Sequence, residues 1–239
     1  MTSVADTNEF ARKPVVYLSV NRAVLSEIPL AARNLLDVGC GGGVFGAALK
    51  SERVCTVVGL TYSETEADMA RVHLDRVEVV DLNTLDPAPL GRFDCVVCSH
   101  VLEHLNDPRR LLRQLRNCLA PQGMLIVALP NALHWKQRLQ FLSGRFRYTD
   151  GGLMDRTHFR FFDWVTAAEL MRESGYQINS RHADGVLPLA RLLGPKLASH
   201  MNRAATSLAP GLLGSQFVLC CQPDETSTCV ALAPARFGG

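Results

Sequence analysis

Residues 35–43 read LeuLeuAspValGlyCysGlyGlyGly: a short apolar run with an acid near its end, then glycines that include the alternate positions Gly39, Gly41 and Gly43. Glycine adopts positive φ freely and lets a backbone approach a ligand without a Cβ, and the helix that follows presents free N–H groups. The stretch therefore predicts a strand–loop–helix unit that cradles a nucleotide-type ligand. Working outward, apolar runs of strand length recur at 34–38, 54–60, 77–80, 93–98 and 123–129, and helix-compatible stretches at 44–50, 64–73 and 108–119 lie between most of them. In the 108–119 stretch Leu111, Leu112, Leu115 and Leu119 share one face and four arginines the other, behind the start signal Asn106-Asp107-Pro108. That alternation argues for an α/β fold with a parallel sheet.

Further helices are expected at 15–28 and at 163–173, the latter capped by Asp163 and closed by Gly175, and further strands at 176–182 and 215–222. The organisation expected is one domain over 1–222, with longer insertions at 131–162 and 183–213 and a poorly ordered tail at 223–239. Loops that leave strand carboxyl ends line the ligand crevice of an open α/β sheet, and 131–162 leaves a strand in that direction.

With 47% hydrophobic and 20% charged residues among 239, the chain has ample material for one core. A net charge of +2 is too balanced for a dedicated nucleic-acid binder, so nucleic acid is not the expected partner. No stretch approaches a membrane span and the first thirty residues lack a signal-peptide apolar core, which points to the cytoplasm. Eight cysteines are then expected to pack as small hydrophobes; Cys95 and Cys98 form a CxxC, but inside a strand they face opposite ways.

Two cofactors fit the glycine loop. Gly41, Gly43 and Gly46 satisfy GxGxxG, the dinucleotide fingerprint, but that pattern also wants an acid at the end of the second strand, where this chain has Thr61. Asp37 would repel a pyrophosphate yet suits a ligand with an ammonium group, such as S-adenosylmethionine. An NAD-dependent oxidoreductase and a non-catalytic cofactor-fold module stand as the alternatives.

AspValGlyCysGlyGlyGly at 37–43 resembles motif I of class I S-adenosylmethionine-dependent methyltransferases. PheAspCysValValCysSerHisValLeuGluHisLeuAsnAspPro at 93–108, LeuAlaProGlnGlyMetLeuIleValAlaLeuProAsn at 119–131 and GlyLeuMetAspArgThrHisPheArgPhePhe at 152–162 resemble later motifs. They are those of the branch containing ubiquinone-biosynthesis O-methyltransferases and bacterial small-molecule methyltransferases. Four motifs in the right order are far more specific than one. The resemblance implies a Rossmann-like, seven-stranded, mostly parallel sheet with helices on both faces, and methyl transfer from S-adenosylmethionine to a small-molecule acceptor, leaving S-adenosylhomocysteine.

Carried over by position, the resemblance implies that Asp37 accepts from the methionine ammonium while Gly39, Cys40, Gly41 and Gly43 form the loop around the methionyl part. It further implies that Asp81 and Leu82 meet the adenine and that Ser99 lies at the methyl end. Thr61 departs from the pattern, since most members carry there an acid for the ribose hydroxyls; Glu64 or Glu66 is the available substitute. The stretch GlyLeuThrTyrSer, with Thr61 and Tyr62, resembles the turn of cyclopropane fatty acid synthases, which bind the same cofactor without that acid.

His100, Glu103 and His104 spell HxxEH, but the motif begins at a strand end and signals no third ligand, so an acceptor-site or structural role is expected rather than a metal. His100, His104 and His158 are the candidate catalytic groups, because a near-neutral imidazole suits removal of an acceptor proton. Residues 135–164 interleave both tryptophans, Tyr148 and several phenylalanines with Lys136 and arginines, which reads as a lid for an anionic or aromatic acceptor.

Overall fold

The computed structural model describes residues 19–187 and 194–225. Seven strands, β1 (Asn34–Val38), β2 (Thr56–Thr61), β3 (Arg76–Val79), β4 (Phe93–Ser99), β5 (Leu119–Pro130), β6 (Tyr176–Asp184) and β7 (Gln216–Pro223), form one sheet. Their order is β3-β2-β1-β4-β5-β7-β6. Every neighbouring pair is parallel except those of β7, which runs antiparallel to both β5 and β6. The chain moves outward from β1 to β3 and returns to β4 on the other side of β1. That reversal opens a crevice at the carboxyl ends of β1 and β4, where open α/β sheets bind ligands.

Successive strand residues face opposite sides, so a sheet covered on both faces needs unbroken apolar strands. One face gathers Leu36, Val38, Leu60, Val96, Cys98, Val127 and Leu219 with Leu111, Leu112 and Leu115 of α4 (Pro108–Leu115) and Leu170 and Met171 of α6 (Trp164–Glu173). The other gathers Leu35, Val57, Cys95, Val97, Ile126 and Cys220 with Val24 and Leu25 of α1 (Arg22–Leu25), Leu49 of α2 (Val44–Glu52) and Ala70 of α3 (Glu64–Ala70). Cys95 and Cys98 thus pack into different cores, and the seven described cysteines are all free thiols.

Several expected boundaries move. The helix expected at 15–28 lies partly outside the described residues, and from residue 19 on it is one turn, α1. Asn21 takes the N-cap by accepting from Val24 N–H, and Pro29 disfavours helical backbone at Ile28. The helix expected over 108–119 ends at Leu115, a 3₁₀ turn follows over Arg116–Cys118, and Leu119 opens β5. Pro121 biases Ala120 toward extended backbone, which is why the apolar face does not continue. Asp163 caps α6 through a capping box with Thr166, and Gly175 follows at φ 81°. The 131–162 insertion contains a helix, α5 (Trp135–Leu142), and 183–213 contains α7 (Pro195–Leu208) and α8 (Pro210–Leu213). Most of the 223–239 tail lies outside the described residues.

Candidate active site

The glycine loop joins β1 to α2. Gly39, Gly41 and Gly43 take φ of 77°, 50° and 80°, a region that an L side chain reaches only with strain. Each glycine answers a different demand. A Cβ on Gly39 would run into Val101, which follows the β4 exit, so the motif after β1 and the motif after β4 fit together only without one. A Cβ on Gly43 would lie 2.9 Å from Ala70 Cα, so this glycine lets α2 and α3 close on each other. Gly41 has no heavy atom within 4 Å of such a Cβ and is the position that opens toward the crevice. The N–H groups of Gly39 and Cys40 both donate to Leu60 O, at 2.9 and 2.8 Å, which fastens the loop to β2. The Cys40 side chain turns into the core against Gly59, so only its backbone borders the loop.

Asp37 is 4% exposed, and its Oδ2 is buried without a hydrogen-bond partner among the described residues. Burial pushes its pKa up to about 7. An unpartnered carboxylate here is costly unless a positive group arrives to meet it. Thr61, also buried, donates its hydroxyl to Glu66 Oε2 at 2.6 Å. Glu66 sits in the first turn of α3, whose N-cap Ser63 accepts from the Glu66 N–H. A carboxylate one helical turn on is thus brought against the hydroxyl at the end of β2. Asp81 accepts from Asn83 N–H at 2.9 Å, an Asx turn that shapes the loop after β3, while the Leu82 side chain is buried in the core below. Ser99 Oγ accepts from Asn21 Nδ2 at 3.1 Å, and Asn21 also donates to Gln216 Oε1 on β7. Tyr62 is 80% exposed and turned away from these groups.

The β4 exit is built around a second buried carboxylate. His100 has φ 55°, an unusual value outside glycine that costs on the order of 1–3 kcal/mol. The turn leads into a 3₁₀ segment, Leu102–His104, which drives Glu103 fully inside. Glu103 O accepts from Phe159 N–H and Arg160 N–H, at 2.8 and 3.1 Å, and so draws the 152–162 segment over the cluster. His158, 54 positions from His104, arrives with its Nε2 4.0 Å from Glu103 Oε1. The ring centroids of His104 and His158 are 4.7 Å apart in an edge-to-face arrangement. Glu103, His104 and His158 each bring a nitrogen or oxygen atom within 4.8 Å of the others, a grouping that spacing within HxxEH does not show. Among the described residues neither Glu103 oxygen has a hydrogen-bond partner, and the nearest charged contact is His100 Nδ1, 3.4 Å from Oε1.

The three candidate catalytic histidines have different surroundings. His100 contacts Gln216 Oε1 through Nε2 at 2.8 Å and Glu103 Oε1 through Nδ1 at 3.4 Å. Burial works to lower its pKa, but the Glu103 carboxylate and Gln216 outweigh that and raise it. His158 is lowered, by burial first and by His104, with Glu103 opposing. His104 Nδ1 lies 3.1 Å from Thr157 O and 3.0 Å from Thr157 Oγ1, and that hydroxyl also bonds Asp155.

The aromatic and basic residues of 135–164 do not make one surface. Trp164, partly buried, packs against Phe217 at the α6 edge of the core with Arg181 over its ring. Phe141, Phe146 and Tyr148 form a small cluster of their own. Arg138 and Arg160 donate to the backbone carbonyls of Leu133 and Asn106, and Arg156 pairs with Asp150. A cavity of about 750 Å³ lies elsewhere, between β6, α7 and α1, lined by Glu27, Arg181, His182 and Asn202 and by none of the cradle residues.

This sheet order, its single reversed strand and the glycine loop at the β1 exit define the class I methyltransferase fold; an all-parallel dinucleotide sheet has no such reversed strand. A family model described as "Methyltransferase domain" matches residues 10–181, and the chain belongs to that family. The ubiquinone biosynthesis O-methyltransferase of Psychrobacter arcticus is 26% identical over 162 residues, covering 64% of this chain and 62% of that protein, so the chain spans less than two thirds of that relative's length. The enzyme of the same name from Thiobacillus denitrificans is 34% identical over 116 residues, covering 46% and 50%. Among solved structures, an S-adenosylmethionine-dependent methyltransferase from Mesorhizobium loti superposes with a TM-score of 0.57 at 20% identity, covering 84% of this chain and 95% of that one. Magnesium protoporphyrin IX methyltransferase from Synechocystis with bound S-adenosylhomocysteine gives 0.54 at 16%, covering 84% and 78%. At those identities the structures speak for the fold.

No described helix is long and apolar enough to cross a membrane.

Proposed function

We propose that this protein transfers a methyl group from S-adenosylmethionine to a small-molecule acceptor. The observation that carries the reading is Asp37: a buried carboxylate with an unpartnered oxygen beside a loop that opens at Gly41. A cationic amino acid moiety satisfies that oxygen; a pyrophosphate would add a second negative charge. Asp37 and the Gly39–Gly43 loop hold the methionyl part, the Thr61–Glu66 pair takes the ribose hydroxyls, and Asp81 with the Leu82 N–H takes the adenine. Ser99, steadied by Asn21, borders the methyl end. The sulfonium already makes the methyl group electrophilic, so the chain's own work is to align acceptor, carbon and sulfur and to exclude water.

The acceptor's proton is handled in the cluster of His100, His104 and His158 around Glu103. Residues 157–161 lie against that cluster, and Phe159 and Phe161 beside it favour an aromatic acceptor; Arg145 and Arg147, both exposed, favour an anionic one. The unpaired state of the seven described thiols supports a cytoplasmic setting.

Calorimetry with S-adenosylhomocysteine and with NAD tests the cofactor. Binding of the first is expected, weakened in Asp37→Ala by on the order of 2 kcal/mol, the scale of a lost charge-assisted hydrogen bond. Binding of NAD with no response to S-adenosylhomocysteine would overturn the reading.

A further inference from the structure

We propose that His100 stands beside the methyl end as a fixed imidazolium paired with Glu103, and that the acceptor's proton therefore passes to His104 or His158 instead. The charge state of His100 follows from this chain's own hydrogen bonds; the route of the proton rests on the methyl-transfer reading.

The bonds start from two groups that have no choice of role. Asp184, at the end of β6, can only accept, and Gln216 Nε2 lies 3.0 Å from its Oδ2. The Val24 backbone N–H can only donate, and it reaches Asn21 Oδ1. Between these anchors two side-chain amides face each other: Asn21 Nδ2 donates to Gln216 Oε1 at 2.8 Å, and Gln216 Nε2 donates to Asn21 Oδ1 at 3.2 Å. Turning Gln216 over would set its oxygen against the Asp184 carboxylate, and turning Asn21 over would set its NH₂ against the Val24 N–H. The second Asn21 hydrogen goes to Ser99 Oγ at 3.1 Å. Both amides are then fully used except for one lone pair on Gln216 Oε1, and that faces His100 Nε2 at 2.8 Å. An amide oxygen can only accept, so His100 Nε2 carries a proton.

The other ring nitrogen, Nδ1, lies 3.4 Å from Glu103 Oε1. Glu103 is fully buried, and among the described residues no hydrogen bond reaches either oxygen. A bare Nδ1 would set a lone pair against that carboxylate, which needs a positive partner to stay ionised where it is. A proton on Nδ1 turns the repulsion into attraction, and charge attraction at that distance needs no linear N–H···O path. Burial alone would lower the pKa of His100, but Glu103 first and Gln216 after it raise it overall. His158 approaches the same Oε1 from farther away, at 4.0 Å, and burial and His104 hold its pKa down, so the charge falls to His100. The remaining charged group in the network is Asp184, behind Gln216. The backbone serves the same placement: His100 holds φ 55° with its N–H on Ala128 O at 3.0 Å, and that strained turn sets the ring between β7 and Glu103.

An imidazolium engaged at both nitrogens has no lone pair to take a proton, which makes His100 a positioning residue that keeps Glu103 ionised. His104 Nδ1 meets Thr157 O and a Thr157 hydroxyl already given to Asp155, so Nδ1 is protonated and Nε2 is bare. His158 Nδ1 meets Leu153 O at 3.3 Å, with the same result. Those two Nε2 atoms keep the lone pair that proton removal requires.

The test is a long-range proton–nitrogen correlation spectrum of the full chain labelled with ¹⁵N-histidine, with the His100 signals identified by their loss in His100→Gln. At about pH 7, above the ordinary imidazole value, His100 is expected to show two protonated ring nitrogens. In Glu103→Gln its titration midpoint is expected to fall by ~1 pH unit or more, the scale of losing a nearby opposite charge, and the neutral ring to keep its proton on Nε2. Gln216→Leu is expected to lower the midpoint by less and to abolish the preference for Nε2. Circular dichroism reports folding, and should the buried Glu103→Gln not fold, the wild-type spectrum and Gln216→Leu decide. A neutral wild-type His100 at pH 7, a bare Nε2, or a midpoint unmoved in folded Glu103→Gln overturns the inference. Calorimetry with S-adenosylhomocysteine on the same sample separates the two readings. Binding with a neutral His100 leaves the methyl-transfer reading standing and this one fallen; a doubly protonated His100 without binding upholds its charge state and removes the proton's route along with the methyl-transfer reading.

Discussion

Asp37 and Glu103 are two buried carboxylates on neighbouring strand exits; among the described residues one oxygen of the first and both of the second have no hydrogen-bond partner. They differ in what surrounds them. Around Asp37 the work is done by backbone: glycines at positive φ and two N–H groups fastened to Leu60. Around Glu103 it is done by side chains, two of them local and His158 brought from 55 residues away. A backbone cradle is specific to shape and tolerates few substitutions, whereas a side-chain cluster is specific to charge and ligand chemistry and can be edited one group at a time.

The largest effect expected is at the cradle. Gly39→Val combines a strained φ with a clash on Val101, and we expect a loss of roughly 3 kcal/mol or more in stability, read by chemical denaturation. Survival of the variant with native stability would break the claim that the β1 and β4 motifs are locked together there.

Next comes the pH dependence of Asp37. Its folded pKa, about 7, lies above the ordinary carboxylate value, so its contribution is favourable at low pH and is lost as pH rises from about 4 through 7. Asp37→Asn removes that loss. The cofactor-free variant should equal the wild type near pH 4 and exceed it above pH 8 by up to roughly 4 kcal/mol, an upper bound from the shift, while binding S-adenosylhomocysteine more weakly. Thermal melts across that range check it, and a variant less stable than wild type at pH 8 would show that Asp37 already has a partner.

Smaller changes sharpen the contrast. Glu66→Gln and Thr61→Val each disturb one 2.6 Å hydrogen bond, and each should weaken cofactor binding by about 1–2 kcal/mol; the double variant should lose little more than the worse single one, because the two act as a unit. Thr157→Val, which removes the hydroxyl behind His104 but keeps the carbonyl, should change cofactor affinity by less than about 0.5 kcal/mol while altering the acceptor step, read as kcat at saturating cofactor.

Much of the first region was readable without coordinates. The strand run at 34–38, the acid at 37 and the glycines describe local backbone demands, and local demands leave local signatures. The Asp163 cap and the opposed faces of Cys95 and Cys98 were legible for the same reason. The 15–28 helix was overextended because a single Asn cap and a later proline compete with an apolar pattern. The aromatic and basic density of 135–164 looked like one surface, yet Trp164 packs against the core beside Phe217 and several arginines are tied to carbonyls. Residue type does not say which way a side chain turns.

By itself the sequence determined the alternation of strands and helices, the switch point at the glycine loop and the acid placed at the end of the first strand. Each follows from short-range sterics and the two-residue period of a strand. Only the tertiary structure decided that Thr61 bonds Glu66, that Asn21 reaches Ser99 and that His158 closes on Glu103 and His104. Those pairings depend on which distant segments the sheet order sets side by side, and the Glu103 carbonyl, not any motif, holds the last of them in place.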